Sequence, residues 1–183
     1  ALRTVVERQS WPQRAGAETR LDVRKLANTG RDRNTRLWDR LENDEEYRNL
    51  AREIWAQGWK PMAERPPEAQ KRAAENREKQ IERAVAATKK LQDKGVTVVF
   101  VQLPYSGHYA VSEPDGNPRE VSWDVLVEKT GALGLHFEDH PEMQGYTLPE
   151  WSHMTGPEAD RFTGAFYGLV QRELKKHRAN KPS

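Results

Sequence analysis

Cysteine is absent from all 183 residues. That excludes disulfides, thiolate nucleophiles and cysteine-ligated zinc. It leaves the compartment open, because many bacterial envelope proteins also lack cysteine. No apolar run approaches the length needed to cross a bilayer, and no signal-peptide pattern opens the sequence. The first residue is Ala1 rather than methionine, so the expectation is a trimmed product or a piece of a longer protein. An excess of one charge is missing as well. The 30 basic and 28 acidic residues leave a formal net charge of +2, short of the asymmetry that marks a phosphate-binding stripe. Apolar residues are scarce, at 36% against 32% charged, and the mean hydropathy is −0.97. Part of the chain is therefore expected to be solvated helix. The length still corresponds to one domain able to bury a core, and no internal repeat is visible.

The sequence divides by character. Residues 1–77 read as a charged helical portion, 78–176 as an α/β portion and 177–183 as a loose tail. NDEEYRNLAREIWAQG is predicted helical, with Asn43 or Asp44 as cap and Tyr47, Leu50, Ala51, Ile54 and Trp55 on the apolar face. Pro66-Pro67 opens a long helix whose second half carries Ile81, Ala84, Val85, Thr88 and Leu91 at helical spacing, with Gly95 ending it. VTVVFVQLP, residues 96–104, is a continuous β-branched run of the kind covered on both faces of a sheet. SWDVLVEKTGALG reads as a short helix capped by Ser122, and LHFED (135–139) as a second buried strand. The last helix is expected from Gly156 to about Lys176. Thr155-Gly156-Pro157-Glu158 matches a capping box, and Ala159, Phe162, Phe166, Leu169, Val170 and Leu174 form one stripe. The expected fold class is α/β, a three-layer and mainly parallel sheet flanked by helices, with a helical N-terminal portion.

Several groups could carry chemistry. Arg31, Arg33, Arg36 and Arg40 surround Trp38, but Asp32, Asp39, Glu42 and Asp44 interleave. That pattern favours a solvated helix with i,i+4 ion pairs over a nucleic-acid surface, and no nucleic-acid partner is expected. Trp11, Trp38, Trp55 and Trp59 are many for so polar a half, and are expected to pin its helices to the core or to face another part of the protein. His136 and His140 flank Asp139 at a spacing that would turn both rings to one face of a strand; nothing supplies clear ligand geometry, and no metal or other cofactor is expected. Ser106 follows a strand end beside His108. It is a candidate nucleophile, although the G-x-S-x-G elbow is absent and no helix is predicted directly after it. Tyr105, His108 and Tyr109 lie where ligands gather beyond the carboxyl ends of parallel strands.

The sharpest constellation is Glu150-x-x-His153, just ahead of the last helix. A histidine two residues before a helix cap has a rigid mounting. A glutamate three residues earlier is near enough to bond Nδ1 and leave Nε2 free as a general base. Asp139 is the alternative acid.

The block E-W-S-H-M-T-G-P-E-A-D-R-F-T (150–163), following a predicted strand, resembles the C-terminal block of the SGNH (GDSL-like) hydrolases, especially their cell-envelope esterase and O-acyltransferase relatives. In that resemblance His153 falls on the family's base and Glu150 on its acid, where an aspartate is usual. K-G-V-T-V-V-F-V-Q-L-P-Y-S-G is similar to the penultimate core strand with its L-P loop, and G-L-H-F-E-D-H-P to the last strand. The likeness covers about residues 78 to 174. It implies a serine ester hydrolase or acyltransferase acting on an ester-bearing small molecule or acylated glycan, in the cell envelope or periplasm. The Gly-Asp-Ser block that holds the serine, and the glycine and asparagine blocks of the oxyanion hole, are not identifiable. Two expectations follow. Either the serine lies in sequence preceding residue 1, or the domain does no chemistry and binds an envelope glycan or a protein.

Overall fold

A computed structural model describes residues 25 to 179; Trp11 and the end of the expected tail lie outside them. The protein is mixed α/β and largely helical, with two small sheets of two strands each among the described residues. No described helix is long and apolar enough to cross a membrane.

The arginine-rich stretch is not the expected helix. Residues Ala27–Thr29 (β1) and Thr35–Leu37 (β2) form an antiparallel hairpin. β-Branched Thr29 and Thr35 face each other, with hydroxyls 2.9 Å apart. Asp32 accepts the Asn34 N–H at 3.1 Å, an Asx-type bond that competes with helix. The i,i+4 pairs read from the charge pattern do form, Arg36–Asp32 at 3.1 Å and Arg40–Asp44 at 2.7 Å, but only the second spans helix, the short α1 (Arg40–Asn43). Asp44 then caps α2 (Glu45–Ala56) by accepting the Tyr47 N–H at 3.0 Å. Helix α3 (Pro67–Gln92) begins at the proline pair and buries Ile81 and Thr88.

The predicted strands are present but short. β3 (Val99–Gln102) pairs in parallel with β4 (Leu133–His136), Val99 opposite Leu133 and Gln102 opposite His136. The second strand stops at His136 because its Nδ1 accepts the Glu138 N–H at 3.3 Å, which turns Phe137–Asp139 into a 3-10 turn. The first is not covered on both faces among the described residues: Val101 is 37% exposed and Leu103, just beyond the strand, 54%. The crossover between the strands holds two helices. α4 (Tyr109–Gly116), where no helix was expected directly after Ser106, contains Pro114. α5 (Trp123–Thr130) was expected, but Ser122 does not cap it; that hydroxyl donates to Pro118 O at 2.7 Å.

Side chains alternate across a strand, so the pair packs differently on its two faces. Leu133 and Leu135 point to α6 (Gly156–Ala179), where Leu135, Met143, Phe162 and Leu169 form the buried core. This helix runs three residues past Lys176, into the stretch expected to be loose. Its start lacks the reciprocal capping box: Glu158 accepts the Thr147 N–H at 3.0 Å, tying the preceding loop to the helix instead. On the opposite face Gly134 lets α5 sit directly on the strand, since a Cβ there would meet Val127 Cγ2 at 2.6 Å. Gly134→Ala is therefore predicted to lower unfolding stability by about 1–3 kcal/mol through overpacking, measured as a lower urea midpoint. An unchanged midpoint would mean that α5 is not seated on the sheet.

Candidate active site

The loop from Leu148 to Thr155 folds around one carboxylate. Leu148, Pro149 and Glu150 are buried, and the Glu150 side chain is 0% exposed. An unpaired charge in that position would be costly, and the surrounding donors answer it. Oε1 accepts the His153 backbone N–H at 2.6 Å and the Ser152 N–H at 3.4 Å, and lies 2.9 Å from His153 Nδ1. Oε2 accepts the Ser152 hydroxyl at 2.8 Å and the Trp55 indole N–H at 2.6 Å. The last contact spans 95 residues and brings in α2. The same helix supplies Arg52, whose Nε donates to Pro149 O at 2.8 Å and whose guanidinium lies over the Trp151 ring.

Trp151 adopts φ +78°, a left-handed conformation that is strained for any residue but glycine. The turn sends Glu150 inward while the Trp151 indole packs on Gly107. A Cβ at Gly107 would collide with Trp151 Cδ1 and Nε1, and Gly107 itself has φ +52°. The Ser106 N–H, one residue earlier, donates to Trp151 O at 2.9 Å. The loop after β3 and the loop before α6 are thus locked edge to edge.

Burial pushes the Glu150 carboxyl upward, but hydrogen bonds from His153, Ser152 and Trp55 outweigh it and hold the group below its ordinary 4.5. The Glu150 hydrogen bond raises the His153 imidazole above its ordinary 6.5, against an opposing effect of burial. In the neutral ring an Nδ1 proton shared with Glu150 Oε1 and with Ser152 Oγ, 2.9 Å away, leaves the lone pair on Nε2. The His153 side chain is 58% exposed, so it can meet a substrate while its partner stays buried.

The other predicted residues separate into two groups. His108 and Tyr109 adjoin the pair: His108 packs edge-on to Trp59 at 4.9 Å and lies 6.0 Å from Trp151. The Tyr109 phenol is pushed up first by burial and then by the charges of Glu150 and Glu113. Tyr105 instead packs edge-on to Phe137 at 5.0 Å. Ser106 is close through its backbone, but among the described residues its hydroxyl makes no hydrogen bond to His153. Asp139 is held by Arg119 in a bidentate pair at 2.9 and 2.7 Å and, among the described residues, makes no hydrogen bond to His153. His136 is buried beside Trp123, and among the described residues no cluster of three or more His, Cys, Asp or Glu could hold a metal. Trp55 and Ser152 were not foreseen as partners of the acid. The tryptophan-rich polar half was the only signal, and it could not specify which tryptophan meets which carboxylate.

Two outcomes follow for the charge pair. His153 is expected to titrate above pH 6.5, and Glu150→Gln to bring it back down, as read by NMR of the ring protons. Because the folded pKa is raised, the stability this pairing contributes is complete below about pH 6.5 and lost as pH rises through the folded value. The Glu150 contribution has the opposite sense: it is present above pH 4.5 and lost as pH falls through the depressed folded value. Separately, Trp55→Phe leaves a buried carboxylate oxygen short of a donor and should cost about 1–3 kcal/mol in chemical denaturation. A cost near zero would show that the indole bond does not matter.

Comparison with protein-family models, with curated proteins and with solved structures finds no match to this chain, so the chemistry assigned to the site rests on its geometry.

Proposed function

We propose that Glu150 and His153 are the acid and base of a serine-type acyl-transfer site, in an ester hydrolase or O-acyltransferase of SGNH kind. The observation that carries this is a fully buried carboxylate, satisfied by five donors, set behind a half-exposed imidazole. Among the described residues no hydrogen bond occupies the outer ring nitrogen, Nε2, which leaves it for a substrate-side proton. In this role His153 Nε2 takes the proton from a serine hydroxyl as that oxygen attacks the ester carbonyl. Glu150 stabilises the imidazolium that results, and the imidazolium returns the proton to the departing alkoxide.

The serine would come from protein sequence other than these 183 residues, in the Gly-Asp-Ser block that the resemblance implies upstream. Ser152 bonds the Nδ1 side of the ring and donates to Glu150, which removes it as a nucleophile. The ester would lie against the Pro104 to Tyr109 loop, beside His108 and Tyr109. The β3–β4 pair would be part of a larger parallel sheet between helix layers, in which a layer not among the described residues would cover the exposed Val101 and Leu103.

In a protein that includes the nucleophile-bearing sequence, His153→Ala is predicted to lower ester turnover by at least about a hundredfold, the usual worth of a general base. Unchanged turnover would reject the assignment. A fluorophosphonate probe should leave the 183-residue chain unlabelled; labelling at Ser106 would place the nucleophile within it.

A further inference from the structure

A second site lies on the other face of the β3–β4 pair from α6. An open cleft of about 580 Å³ extends between α3, α4 and α5, over the carboxyl ends of the two strands, within the usual size of small-molecule sites. Trp123 and Tyr105 form aromatic walls, Ile81 and Leu126 supply apolar surface, and Gln102 and His136 come from the paired strand ends.

The polar groups here, one buried and the others half-buried, have hydrogen-bonding capacity left over. His136 is 5% exposed. Its Nδ1 accepts the Glu138 N–H, so the neutral ring carries its proton on Nε2. Among the described residues no group bonds that Nε2 and no fully buried side-chain nitrogen or oxygen lacks a partner; the Nε2–H therefore opens onto the cleft. Burial lowers the His136 pKa, which keeps it a neutral donor. The Gln102 amide makes one weak bond, at 3.4 Å to Leu103 O, and the Tyr105 hydroxyl and Trp123 indole N–H make none among the described residues. Burial holds the Tyr105 phenol protonated.

Charge narrows the ligand. Among the described residues Arg119 is the one Lys or Arg lining the cleft, and it is committed to Asp139, Asp124 and Glu138 at 2.7 to 3.3 Å. Glu113, Glu120 and Glu138 also line it. An anion meets net repulsion there, and an apolar ligand would leave the donors unpaired. A ligand with a flat apolar face and many hydroxyls uses every feature: the indole takes the face, the neutral donors take ring oxygens, and the carboxylates accept hydroxyl protons. We propose that this cleft binds a neutral pyranose sugar ring, stacked on Trp123 and hydrogen-bonded by His136, Gln102 and Tyr105. The site stands independently of the acyl-transfer reading. Tyr105 lines it while Ser106 touches the Glu150 loop, so a bound sugar would sit one residue along the chain from the candidate active site.

The test is titration of the 183-residue chain with glucose, galactose, mannose, N-acetylglucosamine and their short oligomers, followed by two-dimensional NMR. Glucose 6-phosphate and adenosine are the comparison ligands. At least one neutral sugar should bind saturably and shift the Trp123 indole and His136 signals, with the phosphate ester at least tenfold weaker. Trp123→Ala should weaken binding at least tenfold. Since that change also removes packing from His136, Gln102→Ala and Tyr105→Phe are the decisive variants, each expected to cost severalfold in affinity with the rest of the spectrum unchanged. The proposal is overturned if no sugar in the panel saturates, if adenosine or the phosphate ester binds more tightly, or if both decisive variants bind as well as the parent. Sugar binding that persists in His153→Ala would show that this site holds whatever becomes of the acyl-transfer assignment.

Discussion

A carboxylate sealed from water must be met by donors or give up its charge, and Glu150 is met by donors from three directions. Two are local: the Ser152 side chain and backbone, and the His153 backbone and ring. The third is the Trp55 indole on a helix 95 residues earlier. The left-handed turn at Trp151, the bond from Arg52 to Pro149 and the contact between Trp151 and Gly107 all follow from keeping that carboxylate inside. Strain of this kind persists only where the surroundings over-determine it. Here they do, through two loops and one distant helix.

The same contact explains how so polar a chain holds together. The core is small, formed by Leu135, Met143, Phe162 and Leu169 with partly buried neighbours such as Phe166 and Val170. The N-terminal hairpin and helices add little to it. Leu41 and Ala51 are buried outside that cluster, Arg40 over Tyr47 and Lys25 over Trp38 hold the N-terminal part within itself, and Arg52 and Trp55 tie it to the Glu150 loop. Each is modest alone. The Trp55 bond differs because its acceptor has no water to fall back on. Stability of the N-terminal part and alignment of the candidate base are thereby one property.

Legibility in the sequence followed the range of the interactions. The helices over 45–56, 67–92 and 156 onward were readable because caps, prolines and apolar stripes act within a turn or two. The Glu150–His153 pair was readable for the same reason, a spacing of three. The hairpin at 27–37 was misread because its charge pattern satisfies i,i+4 spacing, while the deciding bonds, Asp32 to Asn34 and Thr29 to Thr35, are turn and cross-strand contacts. The lengths of both strands were overread, since a hydrophobic run does not record where a histidine nitrogen captures the next backbone N–H. Glu158 met the capping-box pattern and was diverted to Thr147 by the fold of the preceding loop. Trp55 was readable as a pin for its helix and Tyr105 as a residue beyond the strand ends, but the carboxylate that Trp55 meets and the other walls of the cleft depend on residues brought together only by the tertiary structure.

What everything else depends on is the direction of one proton: on Nδ1 of His153, toward Glu150, with Nε2 bare. Nitrogen-15 NMR of the His153 ring, recorded above its pKa, reads that directly. The account predicts a single fixed tautomer with a protonated Nδ1 and an unprotonated Nε2. A ring protonated at Nε2, or one averaging rapidly between the two forms, would contradict it.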